Sequence, residues 1–227
     1  NELGVKFLPM GNTGNQMGGW FNKEMNTADD YKGLKMRMPG LGGRTIGKLG
    51  ATAVLMGGPD ILTSLASGAI DAAEWICPIA DLGLGMHQAA KFYYGPGWHE
   101  PSTLLDLSID LKEWEGLDAD TQALMMEMAK AFNVDVFSRF QALNGPALGK
   151  LLNEHGVQLK TFPDELLIAL GNAAGEVMEE RGSINSQTKA ICNHLLSFRK
   201  NIMDWSTKGE SEFARIRNLP FKFPDSV

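Results

Sequence analysis

The chain has 227 residues, 44% of them hydrophobic and 21% charged, and its 21 Lys and Arg against 27 Asp and Glu give a formal charge of −6. This is the composition of an ordinary globular protein, long enough to bury a core without disulfide or metal staples, as one large domain or two lobes. The acidic balance and the lack of a basic stripe argue against a nucleic-acid partner, and no run approaches the roughly 18 apolar residues of a membrane-spanning helix.

The chain opens at Asn1 and is strand-like at once, Val5 to Met10, with no initiator Met and no leader. Either a mature chain begins abruptly or the sequence is a piece of something longer. Asp29-Asp30-Tyr31 reads as a helical turn before Lys32-Gly33. Leu34 to Met38 then alternates with period two and stops at Pro39-Gly40, which predicts a strand. A short helix is expected from Gly43 to Gly50, a strand over Ala53 to Met56, and a helix begun by Pro59-Asp60 and ended by Gly68, with Ile61, Leu62 and Leu65 on one face. Ala69 to Ala73, Lys91 to Tyr94 and Thr103 to Ile109 complete the strands. Up to Glu113 this alternation predicts an α/β fold with a parallel or mixed sheet.

Beyond Glu113 the pattern is helical. Leu124, Met128, Ala131, Phe132 and Val136 are expected on one buried face, with Met125, Met126 and Met128 as core filler; Leu166, Leu167, Leu170, Ala173, Ala174, Val177 and Met178 mark a second helix. Ile191, Leu195, Phe198, Ile202 and Trp205 step 4-3-4-3, a narrow seam suited to packing along another helix. The tail from Leu219 to Pro224 reads as extended. The predicted organisation is therefore 1–113 as α/β ligand-binding segments and 114–227 as a helical C-terminal region.

Familiar catalytic signatures are missing: there is no G-x-S-x-G, no H-E-x-x-H and no phosphate-cradling G-x-x-x-x-G-K-[ST]. The Gly-rich stretches 11–19 and 40–43 lack dinucleotide-binding spacing, and turns account for them. His87, His99, His155 and His194 fit no metal spacing; His155, just before Gly156, reads as a residue at a helix C-terminus. Cys77 and Cys192, 115 residues apart, could pair in an oxidising compartment, but two free, buried thiols are expected ahead of that. An enzyme is not expected.

The polar residues that stand out lie at strand ends. Arg37 is the penultimate residue before Pro39 breaks its strand. In open α/β sheets ligands sit beyond the carboxyl ends of strands, so this Arg is placed to hold a carboxylate through two parallel hydrogen bonds, the alternative being a surface Arg paired to a nearby acid. Glu74-Trp75 follows the Ala69–Ala73 strand; Glu74 is either solvated in a loop or a ligand, in which case it selects an oxygen-loving cation such as Na⁺ or Ca²⁺ over Zn²⁺, and Trp75 reads equally as a core aromatic. Gly97-Trp98-His99-Glu100-Pro101 is a third polar and aromatic cluster after a strand.

The segments Gly14-Asn15-Gln16-Met17-Gly18-Gly19-Trp20-Phe21, Lys32 to Gly40, Ile70 to Trp75 and Tyr94 to Pro101 resemble the solute-binding proteins of TRAP (tripartite ATP-independent periplasmic) transporters, the DctP family. The resemblance is nearest to the branch that binds 2-oxo and 2-hydroxy monocarboxylates such as pyruvate and lactate together with a metal ion. It implies a two-lobed, periplasmic-binding-protein-like α/β fold with mixed sheets, a cleft that closes on its ligand, and a homodimer formed through a long C-terminal helix. It implies a periplasmic receptor, made with a signal peptide, that delivers its ligand to the membrane permease subunits and does no chemistry on it.

Carried over by position, Arg37 resembles the arginine that clamps the substrate carboxylate, and Gln16 the amide that reaches substrate and metal. Glu74 resembles a metal-ligating carboxylate. Trp75 would give the metal its backbone oxygen and line the pocket, and Glu100 would touch both metal and ligand. Arg37, Glu74 and a monoanionic ligand balance a monovalent cation; an ionised Glu100 calls for a divalent one, so Ca²⁺ is expected ahead of Na⁺. Family members are longer, so the N-terminal part of the first lobe is expected to be missing. The alternatives within this site are an extracytoplasmic ligand-sensing domain, or a metal-dependent enzyme on the same acids with His99 as its base.

Overall fold

A computed structural model describes residues 3–222, so Asn1, Glu2 and the Phe223-Pro224 end of the expected extended tail lie outside the described residues. The chain divides into two compact units, Asn1–Ala174 and Gly175–Val227.

The first unit is built on a six-stranded mixed sheet in the order β4-β3-β5-β2-β6-β8, with β2 Gly19–Phe21, β3 Lys35–Arg37, β4 Thr52–Val54, β5 Ala72–Ala73, β6 Phe92–Gly95 and β8 Gln158–Thr161. The β3–β4, β3–β5 and β6–β8 pairs are parallel, and β2 runs antiparallel to both β5 and β6. The α/β expectation with a mixed sheet is met. Helices α1 (Gly40–Lys48) and α2 (Gly58–Ala66) make the crossovers from β3 to β4 and from β4 to β5. Proline in the first turn begins α2, and Gly68, at φ +72°, follows its end in the left-handed region that only glycine adopts cheaply. A 3-10 turn covers Ala28–Tyr31.

Successive residues of the central strands face opposite sides of the sheet, and both sides are covered. Phe21, Met36, Ala72 and Tyr94 join Ile46 of α1 and Leu166 and Leu170 of α6 (Asp164–Gly182) in one core cluster. Trp20, Ala73 and Tyr93 join Ile61 and Leu65 of α2 and Leu151 of α5 (Ala119–Asn153) in the other. A separate two-stranded antiparallel ladder pairs β1 (Val5–Asn12) with β7 (Leu104–Asp110) and packs Leu8 against Trp114 of α4 (Leu111–Gly116) and Ala129 of α5. Short helix α3 (Pro78–Leu84) completes the unit.

Three expectations change. Strand β8 lies in the region read as wholly helical; Gly156, at φ +65°, turns the chain out of α5, and Val157 and Phe162 bury on either side of it, so a short edge strand forms parallel to β6. The stripe that α5 turns to the protein is Met125, Ala129, Val136, Phe140, Ala147 and Leu151, whereas Leu124, Met126, Met128 and Phe132 are exposed. This helix is apolar on two sides, and periodicity alone does not say which is packed. His155 stands just beyond the helix end and lies against His87, with ring centroids 4.0 Å apart and the rings tilted by 32°.

The second unit holds the end of α6, then α7 (Ser186–Ser206), a π-helical segment Thr207–Ser211 and α8 (Glu212–Arg217). Asn185 and Thr188 form a capping box at the start of α7. The seam Ile191, Leu195, Phe198 and Trp205 lies along α7, exposed. Cys77 and Cys192 are both free, the first buried and the second half-buried. Among the described residues no helix is long and apolar enough to cross a membrane.

One buried carboxylate anchors the sheet. Asp81 of α3 accepts from Trp20 Nε1 (2.9 Å) and the Tyr93 hydroxyl (2.8 Å) through one oxygen and from the Ile76 amide (3.1 Å) through the other. Burial pushes its carboxyl from an ordinary 3.8 up to about 6, against the pull of those three donors. Because the folded value is the raised one, the stabilisation from this group is complete below about pH 4 and is lost as pH rises through about 6. A shift of roughly two units corresponds to about 3 kcal/mol. Asp81→Asn cannot ionise, so it should be destabilised most at pH 4, with its deficit in urea unfolding narrowing by up to about 3 kcal/mol by pH 7. A deficit that does not change over that range would mean that Asp81 is already ionised at pH 4.

Candidate functional site

The last residue of β3 and the residue after β5 meet where two parallel strands end together. Arg37 pairs with Ala73 in the ladder, and the Glu74 amide continues it by donating to Arg37 O at 3.0 Å. The guanidinium closes the loop: Arg37 Nη1 donates to Glu74 O (2.5 Å) and to Glu74 Oε2 (3.0 Å), and Nε donates to Met56 O (3.4 Å). Arg37 also lies over the Trp75 ring at 5.0 Å from its centroid. Side-chain exposures of 8% for Arg37 and 1% for Glu74 make this a buried ion pair. Burial draws the guanidinium below its ordinary value, while the carboxylates of Glu74, Glu100 and Asp81 oppose the shift. These three bonds engage three of the five guanidinium N–H donors, and no hydrogen bond among the described residues uses the two on Nη2.

The second carboxylate oxygen is different. Glu74 Oε1 is buried with no hydrogen-bond partner; His99 Nε2 stands 3.5 Å away and forms an ion pair only if the imidazole is protonated. His99 itself is 3% exposed at its side chain, and neither ring nitrogen has a hydrogen-bond partner. His99 and Glu100 line one side of a cavity of about 270 Å³ whose other walls are Pro39, Gly40, Leu41 and Gly42 at the start of α1.

Gln16 arrives from the loop after β1. Its backbone is fixed by Gln16 N–H to Pro101 O (3.2 Å) and by Gly97 N–H to Gln16 O (2.9 Å), and a Cβ on Gly97 would stand 2.8 Å from that oxygen, so the approach requires glycine. The next residue, Met17, donates its amide to Ile76 O (2.9 Å), which brings this loop to the Glu74–Trp75 segment. Gln16 Oε1 is also buried and without a partner.

Arg37, Glu74 and Trp75 are thus in direct contact. Glu100 acts on the Arg37 charge and lines the adjoining cavity, and Gln16 makes no hydrogen bond to the pair. Two buried oxygens with unmatched lone pairs, one anionic and one neutral, suit a hard cation and not a soft one. Among the described residues no group of three or more His, Cys, Asp and Glu could hold a metal, so a cation here needs backbone and ligand oxygens to fill its shell. His99 was named in the sequence only as a possible base, and Thr13 and Thr103, which hold the Gln16 amide, were not singled out. Thr13 stands three residues from Gln16, but the contacts of Thr103 with Gln16 and with Thr13 span 87 and 90 residues of chain, a separation that carries no local signal.

The curated monocarboxylate 2-oxoacid-binding periplasmic protein of Nostoc sp. (strain PCC 7120) is 39% identical over 206 residues, which is 91% of this chain and 56% of that protein. A TRAP periplasmic solute-binding protein from Pseudoalteromonas atlantica, solved with bound sodium and pyruvate, superposes with a TM-score of 0.90 at 34% identity, covering 97% of this chain and 66% of its own. One from Bordetella bronchiseptica, a mixed occupancy dimer with calcium and picolinate in the bound site, gives a TM-score of 0.91 at 32% identity over 95% of this chain and 64% of that one. The chain therefore spans a little over half the length of the curated relative. The family model for bacterial extracellular solute-binding protein, family 7, matches residues 1–183. That match covers the sheet, both crossovers and the Arg37–Glu74 site, and the chain belongs to this family, DctP.

Proposed function

We propose that this chain carries the binding site of a periplasmic TRAP receptor that takes up a small 2-oxo or 2-hydroxy monocarboxylate together with a cation and presents it to the membrane permease subunits, without transforming it. The observation that carries this reading is a pair of buried oxygens without hydrogen-bond partners, Glu74 Oε1 beside the buried Arg37 and Gln16 Oε1 on the loop that Met17 ties to the Glu74–Trp75 segment. Arg37 Nη2 would donate to the ligand carboxylate. Gln16 Oε1, Glu74 Oε1, the Trp75 carbonyl and Glu100 would hold the cation, which would bridge the ligand oxygens to the protein and offset their charge. The binding proteins similar to this chain that were solved with sodium and pyruvate and with calcium and picolinate support the same pairing of acid and ion.

Charge sets the ion. Arg37 and Glu74 neutralise one another, so a monocarboxylate alone needs one positive charge, and an ionised Glu100 raises that to two. We therefore infer Ca²⁺, with Na⁺ as the ion for a neutral Glu100. In this reading residues 1–113 supply the binding residues, and 114–227 form the helical region with the hinge and the dimerisation helix. The exposed seam of α7 supports a second copy of the chain as its partner, because a coiled-coil-like 4-3-4-3 row is self-complementary.

Three measurements test these statements. Titration calorimetry with pyruvate and with lactate should show binding in Ca²⁺ buffer, abolished by EDTA and regained in part with Na⁺ in place of choline; no heat with either acid in any buffer would remove the substrate assignment. Arg37→Ala should weaken pyruvate binding by on the order of 3 kcal/mol, about 150-fold, because it also leaves Glu74 buried without its counter-charge. Arg37→Lys, which keeps the charge and loses the fork, should fall between the two, and binding by Arg37→Ala within threefold of wild type would move the carboxylate site elsewhere. Light scattering should find a dimer for the native protein and a monomer for Leu195→Asp with Phe198→Asp, and an unchanged mass would take the seam out of the interface.

A further inference from the structure

Gln16 ends in an amide whose two faces are chemically opposite, so its use depends on which way it points. An oxygen turned toward the site accepts or ligates, whereas a nitrogen turned there repels a cation. The surrounding hydroxyls decide this. Thr13, fully buried, donates its hydroxyl proton to Gly14 O at 3.1 Å and accepts the Thr103 amide at 2.9 Å. A hydroxyl has one proton, and that proton is engaged. Its third contact, 3.0 Å from Gln16 Nε2, is therefore one in which Thr13 accepts and Gln16 donates. The Thr103 hydroxyl stands 2.7 Å from the same nitrogen and takes the other amide proton. With both N–H groups held by threonines, Oε1 faces the opposite way, where it is buried and has no partner.

The two threonines belong to different crossings of the chain. Thr13 follows the last residue of β1 and Thr103 precedes the first of β7, and Thr13 N–H donates to Thr103 O at 3.1 Å, adding one rung to that ladder. The amide is thus held by both strands at once.

We propose that Thr13 and Thr103 are positioning residues that fix the Gln16 side chain with its carbonyl oxygen toward the bound cation. This rests on the reading of Gln16 as a cation ligand. The bonds also polarise the amide, since donating both protons to hydroxyls increases the negative charge on Oε1, so the threonines both aim and strengthen the donor.

Two readouts test it. In ¹⁵N-labelled protein without added Ca²⁺, the Gln16 side-chain NH₂, identified by its loss in Gln16→Glu, should show slowed proton exchange that Thr13→Val and Thr103→Val abolish and Thr13→Ser preserves. With pyruvate present, calorimetry should show Ca²⁺ affinity reduced about 10- to 100-fold in each Val variant and within about threefold of wild type in Thr13→Ser. Thr103 is only half-buried, so its Val variant gives the answer even if Thr13→Val does not fold. Native Ca²⁺ affinity in folded Val variants, or a Ser variant as weak as the Val ones, overturns the positioning role alone. A wild-type protein that takes up no cation while its Gln16 amide still responds to Thr13→Val overturns the ligand assignment as well.

Discussion

The buried contact between Arg37 and Glu74 is the constraint around which the rest of this protein is arranged. Two charges 3.0 Å apart and almost wholly removed from water cost several kcal/mol each to desolvate, and such pairs are poor devices for stability. This one is held because backbone and side chain are satisfied together: Glu74 N–H binds Arg37 O, Arg37 Nη1 binds Glu74 O, and the parallel register of β3 and β5 sets both. A slip of one residue in either strand would turn one of the two charges to the opposite face of the sheet. The alternation of Phe21 and Trp20, of Tyr94 and Tyr93, and of Ala72 and Ala73 between two core clusters opposes that slip.

Asp81 shows by contrast what a structural carboxylate looks like in the same sheet. It is as deeply buried as Glu74, yet three donors share its two oxygens. Glu74 devotes one oxygen to arginine and leaves the other without a hydrogen bond, with His99 Nε2 3.5 Å away. An unmatched buried oxygen costs roughly 1–3 kcal/mol, more if charged, and a stability-driven core would remove it. That difference in satisfaction, more than burial or charge, separates Asp81, which holds the fold, from Glu74, the acid we propose for the cation. Gln16 Oε1 meets the same criterion, although its amide nitrogen is fully engaged.

How much of this was legible in the sequence follows from the range of the interactions. Arg37 could be placed at a strand end because period-two alternation and the Pro39-Gly40 break are local, and Glu74 because an apolar run precedes it. The helix α5 was legible as a helix but not in its orientation: Met125 and Ala129 face the protein, and the equally apolar Leu124, Met128 and Phe132 do not. Strand β8 escaped because an edge strand of four residues has too short a period to stand out between two helices. His99 beside Glu74, and Thr103 on Gln16, are contacts between distant segments that only the fold creates.

The same reasoning reaches the C-terminal unit. Helix α7 has 21 residues, a capping box at its start and no buried residue, although Ile191, Leu195, Phe198 and Trp205 lie on one side of it. Helix formation on its own gives little at this length; most helical stability in proteins comes from burying an apolar face. An apolar row left in water gives none of that, and it carries the further hazard of an exposed patch. In the dimer proposed above the seam would be covered. A second α7 offers a row of the same spacing, and its 4-3-4-3 step is the one that lets two helices stay in register along their length.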